Sequence, residues 1–419
     1  MSAGLPETTD SMSSIKRRLP SVKDLLPLFD LSVKPGQDGQ LDRCGDVWDI
    51  RKLAAKRVPK MVFDFVDGAS GSESSLDRAR ELFGQVEFRP RSMRNVSRVD
   101  LSHDILGYKS LLPFFLAPTG GTRLMHAGGE TSVSRAAGKR GIPYTLSTLG
   151  TTSVEDLSRD ASKTKNWFQL YLIADREEAQ LTLKRAWESG FDTLMLAVDC
   201  PVPGRRNRDV RNGLVVPPKI TWRSITKIVG YPRWWFDKLT TAPVDFAMIS
   251  ARSESPAQRM SRVFDPSITP DDVRWLREVW PGELVVKGIL DPEDAKEAVS
   301  AGADAVYLSS HGGRQLDRSP LPLELISSVR AAVGDGTEII VDGGIMSGAD
   351  IVSCYAAGAN AVGIGRAYLY GLMAAGESGV LRVIDLLTAE VRTTLALLGC
   401  NSIEEVRATG VNLRHEGRA

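Results

Sequence analysis

The sequence predicts an α/β fold: a (β/α)8 barrel of the TIM type with an N-terminal helical cap and a long insertion after the fourth strand. Three observations predict it. A unit of short apolar run, polar turn and amphipathic helix recurs along the chain; eight such runs occur; and the runs end in polar or glycine residues, where a parallel barrel gathers its working groups.

The elements follow in order. Residues 1–40 are rich in Ser, Pro, Gly and Asp and read as a flexible leader. From Val47 the composition becomes globular, and "WDIRKLAAKRVPKMVFDFVDG" and "SLDRARELFGQV" have the apolar spacing of helices that cap the main fold. The strand candidates are "LPFFLAPTG", "PYTLST", "WFQLYL", "TLMLAVD", "LVVKG", "AVYLSS", "EIIVDGG" and "AVGIG". Helix starts between them are well marked. In "DPEDAKEAVSAG", Asp291 caps, Pro292 fits the first turn and Gly302 stops the helix. The spacing breaks once, between Asp199 and Leu284, where a loop insertion at 216–270 carries "ITWRSITKIVGYPRWWFDKL". The barrel domain spans 41–408, and 409–419 form a C-terminal tail. An open doubly wound sheet is the rival fold, but "GIGRAYLYG" lacks the third glycine of a dinucleotide fingerprint and lies in the last unit.

Bulk properties exclude several classes. With 53 Lys+Arg against 52 Asp+Glu, no global charge steers the chain to nucleic acid. Cys44, Cys200, Cys354 and Cys400 are scattered without a CxxC pair, which suits a reducing compartment and argues against a disulfide framework or a zinc site. No apolar stretch reaches signal length at the N-terminus or about 18 residues anywhere. The expected location is cytoplasmic, with peripheral attachment to the inner face of the cell membrane as an addition.

The strand ends hold the chemistry. Gln169 and Tyr171 end the third strand, Asp199 the fourth with Arg206 beyond it, Lys287 the fifth, and His311 and Arg314 the sixth, in "SSHGGRQLD". The seventh and eighth end in "DGG" (Asp342 to Gly344) and "GIGR" (Gly363 to Arg366). Two adjacent glycine loops with an arginine suit a phosphate-bearing cofactor. A phosphate site beside Lys287 and Gln169 suggests flavin mononucleotide (FMN), since a lysine at the pyrimidine edge favours the anionic reduced ring. "APTG" and "STLGTTS" would supply further hydrogen bonds. Arg206 and Arg314 can hold a substrate carboxylate, while His311 takes a proton from the α-hydroxyl or α-carbon and Asp199 orients the ring. His103, His126 and His415 have no such company and read as structural.

"SSHGGRQLD", "LVVKGI", "WFQLYL", "VDCPVPGRRNRDVRNG", "VDGGIMSGADI" and "GIGRAYLYG" together resemble the FMN-dependent α-hydroxyacid dehydrogenase and oxidase family from about Val47 to Glu405, and within it the bacterial respiratory lactate dehydrogenases. The resemblance implies that His311 is the base, Asp199 its partner, Arg206 and Arg314 the carboxylate ligands, and Tyr171 a partner of the substrate oxygen. It implies Lys287 at the flavin N1 and O2 edge, Ala117, Thr119, Ser147, Gln169 and Ser309 around the ring, and Asp342, Gly344, Gly365 and Arg366 at the ribityl phosphate. It also implies a homotetramer.

Three departures stand out. Phe65 occupies a position where the family usually has tyrosine, which removes a hydroxyl from the substrate carboxylate and leaves lactate or a bulkier acid such as mandelate open. Ser310 replaces an asparagine, and Met346 stands where many members have a phosphate-side arginine. The acceptor of the electrons is expected to be a quinone or other respiratory carrier, with oxygen as the alternative. The segment 219–238 mixes Trp222, Trp234, Trp235 and Phe236 with Lys219, Arg223, Lys227, Arg233 and Lys238, which suits an anionic membrane surface or, equally, an aromatic loop packed on protein. A non-catalytic flavin barrel would not need His311 and Arg314. A nucleotide dehydrogenase barrel would need a cysteine in the loop after the sixth strand, which has none.

Overall fold

Each of the eight apolar runs forms a strand, and the strands close on themselves. In the computed structural model, which describes residues 39–213, 229–249, 262–409 and 412–413, they are β1 (Phe115–Leu116), β2 (Tyr144–Ser147), β3 (Asn166–Leu170), β4 (Thr193–Ala197), β5 (Glu283–Ile289), β6 (Ala305–Leu308), β7 (Glu338–Val341) and β8 (Ala361–Ile364). All neighbours are parallel, and β8 returns to β1 through Gly363 opposite Phe115 and Ile364 opposite Leu116. Their continuous burial follows from helices outside and side chains inside. The expectations for residues 1–38, for Lys219, Trp222, Arg223 and Lys227, and for His415 lie outside the described residues.

Phe115, Trp167, Met195, Val285, Tyr307 and Ile340 fill the barrel interior. The Phe115 ring meets Trp167 edge-on at 5.1 Å and Tyr307 at 5.9 Å. This filling dictates Gly363, because a Cβ there would lie 2.0 Å from the Tyr307 hydroxyl. A hairpin, His103–Ile105 with Tyr108–Ser110, closes the N-terminal end: Ile105 and Leu106 join the interior cluster, and the Leu106 N-H donates to Glu338 at the start of β7.

Before the barrel come α1 (Val47–Arg57), α2 (Lys60–Asp67) and α3 (Ser74–Gly84). The stretch beginning at Trp48 is two helices because Pro59 lacks an N-H and holds Val58 extended (φ −123°, ψ 154°). Buried Asp67 gathers the cap, accepting from Arg51 Nε (2.6 Å) and Nη2 (2.8 Å), Arg208 Nη1 (3.0 Å) and the Tyr370 hydroxyl (2.8 Å).

The remaining helices include α4 (Gly129–Lys139), α5 (Val154–Asp160), α6 (Arg176–Glu188), α7 (Asn207–Asn212), α8 (Pro232–Thr240), α9 (Pro270–Val279), α10 (Pro292–Ser300), α11 (Pro322–Val333), α12 (Gly348–Ala356) and α13 (Arg366–Leu398). Ser153, Asp175, Asp291 and Ser347 each cap a helix start with the side chain, at about 1 kcal/mol apiece. Both α7 and α8 lie in the long connection between β4 and β5, and α9 is the outer helix that resumes the barrel. No described helix is long and apolar enough to cross a membrane.

Candidate active site

The loop after β6 turns sharply at His311, Gly312 and Gly313, all with positive φ (54°, 62° and 74°). For histidine this conformation costs on the order of 1–3 kcal/mol. The His311 N-H donates to Ser309 Oγ at 3.0 Å, which helps hold the turn. The ring Nδ1 then lies 3.1 Å from Asp199 Oδ2, and Nε2 lies 3.2 Å from the Tyr171 hydroxyl. The carboxylate fixes the tautomer with hydrogen on Nδ1, so Nε2 is the basic atom. Burial pushes the Asp199 carboxyl up, but the adjacent imidazole, Lys287 and the Cys200 thiol outweigh it, and its pKa falls to about 2. Burial pushes the Tyr171 hydroxyl well above its ordinary range, so it is a proton donor at neutral pH.

The rest of "HGGRQLD" is architecture. Gly312 is required because a Cβ would lie 2.6 Å from Arg366 Nη1. Gln315 binds the loop after β4, accepting from Gly204 N (2.9 Å) and donating to Val202 O (3.2 Å). Asp317 accepts from Ser72 N (2.7 Å) and Ser75 N (3.0 Å), tying the histidine loop to the start of α3.

Arg314 and Arg206 approach Phe65, their guanidinium carbons 4.9 and 5.8 Å from its ring centre. Arg314 Nη1 donates to the Phe65 carbonyl at 2.5 Å, and Arg206 Nε pairs with Asp209 Oδ2 at 2.7 Å. Burial, then the charges of Arg206 and Arg366, press the Arg314 pKa down to about 9, still a cation at neutral pH. Such a cluster is stabilised by an anion.

These groups face one cavity of about 680 Å³ at the C-terminal mouth of the barrel. Of the residues expected from sequence, Phe65, Ala117, Thr119, Tyr171, Arg206, Lys287, His311, Arg314, Asp342, Gly344, Gly365 and Arg366 line it. Asp199 stands behind His311. Ser147 donates to Gln169 Oε1 at 2.7 Å, and Ser309 accepts from Lys287 Nζ at 2.8 Å. Tyr368 on α13 sets the end of β1, bonding Thr119 Oγ1 (2.6 Å) and the Ala117 carbonyl (2.9 Å).

Two buried polar atoms test whether a flavin fits. Gln169 Nε2 at the end of β3 and Asp342 Oδ1 at the end of β7 have no hydrogen-bond partner, although an orphaned buried group costs about 1–3 kcal/mol. Next to Asp342, Gly343 and Gly344 take positive φ (98° and 81°), and Gly343 leaves main chain bare for close approach by a phosphate-bearing group. Donor, acceptor and glycine cradle all fit FMN. Arg366 fits less simply than expected. Its Nε and Nη2 donate to the carbonyls of Val66 (3.0 Å) and Gly68 (2.9 Å) at the end of α2, which leaves Nη1.

Sequence reasoning missed the apolar wall: Met125, Leu149, Val210, Phe246 and Phe264, the last with its ring 6.1 Å from Tyr171. They come from the connections after β1, β2 and β4, with no shared spacing to reveal them. Helix α8 divides the aromatic segment. Trp234 Nε1 donates to the Leu124 carbonyl at 2.9 Å and Lys238 Nζ bonds the Arg123 carbonyl, whereas Phe236 and Leu239 are 58% and 70% exposed. Lys238, expected among the surface cations, turns inward: burial lowers its pKa to about 8.

The cavity is lined by the His311 imidazole, whose Nε2 meets the Tyr171 hydroxyl, by two guanidinium groups and by the Gly343–Gly344 turn. That chemistry places the protein among flavin-binding barrel oxidoreductases. Comparison with known proteins narrows this to a family: the FMN-dependent dehydrogenase profile matches residues 54–413, and the chain belongs to that family. It is 46% identical over 396 residues to the Mycobacterium tuberculosis protein named "Putative L-lactate dehydrogenase", covering 94% of this chain and 95% of that one. It is 40% identical over 362 residues to (S)-mandelate dehydrogenase of Pseudomonas putida, covering 85% and 91%. The crystal structure of the monotopic membrane protein (S)-mandelate dehydrogenase superposes with a TM-score of 0.85 at 38% identity, covering 89% of this chain and 100% of that one.

Proposed function

We propose that this FMN enzyme oxidises a small L-2-hydroxy acid, with L-lactate to pyruvate the first choice, and passes the electrons to a membrane quinone. The convergence of His311, Arg206 and Arg314 on one cavity, with Asp199 paired to His311 from behind, carries the reading. When bound, FMN accepts the two electrons removed from the substrate carbon. Arg206 and Arg314 hold the carboxylate, and Phe65 of the cap packs against both guanidinium groups. The Tyr171 hydroxyl, which stays protonated, donates to the substrate oxygen. Of the two hydrogens the substrate loses, His311 Nε2 takes one as a proton, with Asp199 stabilising the resulting imidazolium, and the other would go with the electron pair to the flavin. Lys287, held by Ser309 and 3.6 Å from Asp342, supplies positive charge where the reduced cofactor gains negative charge. Gln169 and Asp342 would complete the cofactor's hydrogen bonds, and Gly344, Gly365 and Arg366 would receive its phosphate.

The apolar wall of Met125, Leu149, Val210, Phe246 and Phe264 supports a second reading, an acid with a larger side chain such as mandelate. The outward face of α8, with Arg233, Phe236 and Leu239, supports docking at a lipid surface, where a quinone is reached. The resemblance to the family supports a homotetramer, open to light scattering. Anaerobic bleaching of the bound flavin by L-lactate, D-lactate, glycolate and L-mandelate tests the activity. L-Lactate is expected to bleach fastest; no bleaching by any 2-hydroxy acid rejects the reading. Peroxide formed in air at the rate of quinone reduction would make oxygen the acceptor.

A further inference from the structure

We propose that Arg80, on cap helix α3, supplies a second guanidinium for the 5′-phosphate of FMN. The inference rests on FMN occupying the cavity. Helix α3 is seated against the loop after β7, where a Cβ on Gly344 would lie 2.9 Å from the Ala79 carbonyl. The next residue, Arg80, lines the cavity together with Gly344, Ile345, Met346 and Arg366. Its Nη2 is buried without a hydrogen-bond partner. The neighbouring carboxylate oxygen, Asp67 Oδ1, is 3.9 Å away, beyond hydrogen-bond reach, and already accepts from Arg51 and Tyr370. Trp48 packs on the guanidinium at 5.3 Å and steadies its plane.

A buried guanidinium nitrogen left without an acceptor is costly, more so than a neutral group. Because it lines the same cavity as Gly344 and Arg366, its acceptor comes from outside the protein. A phosphate monoester brings a charge of about −1.5 to −2 and three acceptor oxygens, whereas Arg366 has committed Nε and Nη2 to Val66 and Gly68. Met346 has no donor to add. Arg80 reaches the phosphate end from the cap, far away in sequence from the glycine loops.

Flavin-free protein, titrated with FMN and with riboflavin by flavin fluorescence quenching, separates phosphate recognition from general packing. Arg80→Met is expected to weaken FMN binding about tenfold to hundredfold, the effect of one hydrogen bond to a charged group, and to leave riboflavin affinity unchanged. Adding Met346→Arg to that variant is expected to recover FMN affinity without changing riboflavin. Unchanged FMN affinity in Arg80→Met, or an equal loss for both flavins, overturns the assignment. In either case FMN binding by the unmodified protein still stands, so the cofactor reading and the role of Arg80 fail separately.

Discussion

His311 Nδ1 and Asp199 Oδ2 stand 3.1 Å apart, joining the loop after β6 to the end of β4. The pair turns Nε2 toward the cavity and the Tyr171 hydroxyl, 3.2 Å away. His311→Gln keeps a hydrogen-bonding side chain of similar reach but has no base. Flavin content is expected to stay unchanged while anaerobic flavin reduction slows about 10²- to 10⁴-fold. Because the Asp199 pKa is about 2, its carboxylate is ionised at all workable pH, so Asp199→Asn removes the charge that stabilises the imidazolium and should slow anaerobic flavin reduction while leaving flavin content unchanged.

Phe65 offers both guanidinium groups a π face and no hydroxyl. Phe65→Tyr adds a donor beside the carboxylate site, worth about 1.5–3 kcal/mol to a charged acceptor. The KM for L-lactate should fall about tenfold or more, with a smaller effect on bulkier acids. Steady-state kinetics across a substrate series checks this, and a KM that does not move places the carboxylate elsewhere.

Burial pushes the Asp67 carboxyl up, but Arg51, Tyr370 and Arg208 outweigh it and hold the pKa at about 2, below its ordinary value of 3.8. A carboxylate depressed in the folded state stabilises fully above its unfolded pKa, and that stability is lost as pH falls through the folded one. The window therefore runs from about pH 4 down to pH 2, and the amount is about 2 kcal/mol. Asp67→Asn should be less stable at neutral pH and lose less stability across that window, measured by urea unfolding at several pH values. An equal acid slope in the two proteins would place the titration elsewhere.

On α8, Phe236 and Leu239 face outward while Trp234 and Lys238 face the barrel. Replacing Phe236 and Leu239 by serine should reduce co-sedimentation with anionic phospholipid vesicles several-fold and leave flavin bleaching by substrate intact. Equal sedimentation of the double variant would remove this face from membrane contact.

The eight strands and the polar residues at their ends were legible because a parallel strand covered on both faces must be apolar throughout, and its working group must follow the run. "SSHGGRQLD" was legible for its histidine and arginine. Its Gln315 and Asp317 were not, because their partners, Gly204 and Ser72, are placed only by folding. The break at Val58 was readable from Pro59, yet the apolar period carried a continuous helix across it. Lys238 looked like a surface cation because composition has no direction.

By itself the sequence determined the barrel and the chemical types gathered at its mouth, since periodicity, glycine turns and residue chemistry are local. Tertiary structure alone decided that Arg366 is shared with the end of α2, that Arg80 reaches the cavity from the cap, and that Met125, Leu149, Phe246 and Phe264 line one cavity. Those relations join segments far apart in the chain, and only closure of the barrel and docking of the cap bring their side chains within a few ångströms.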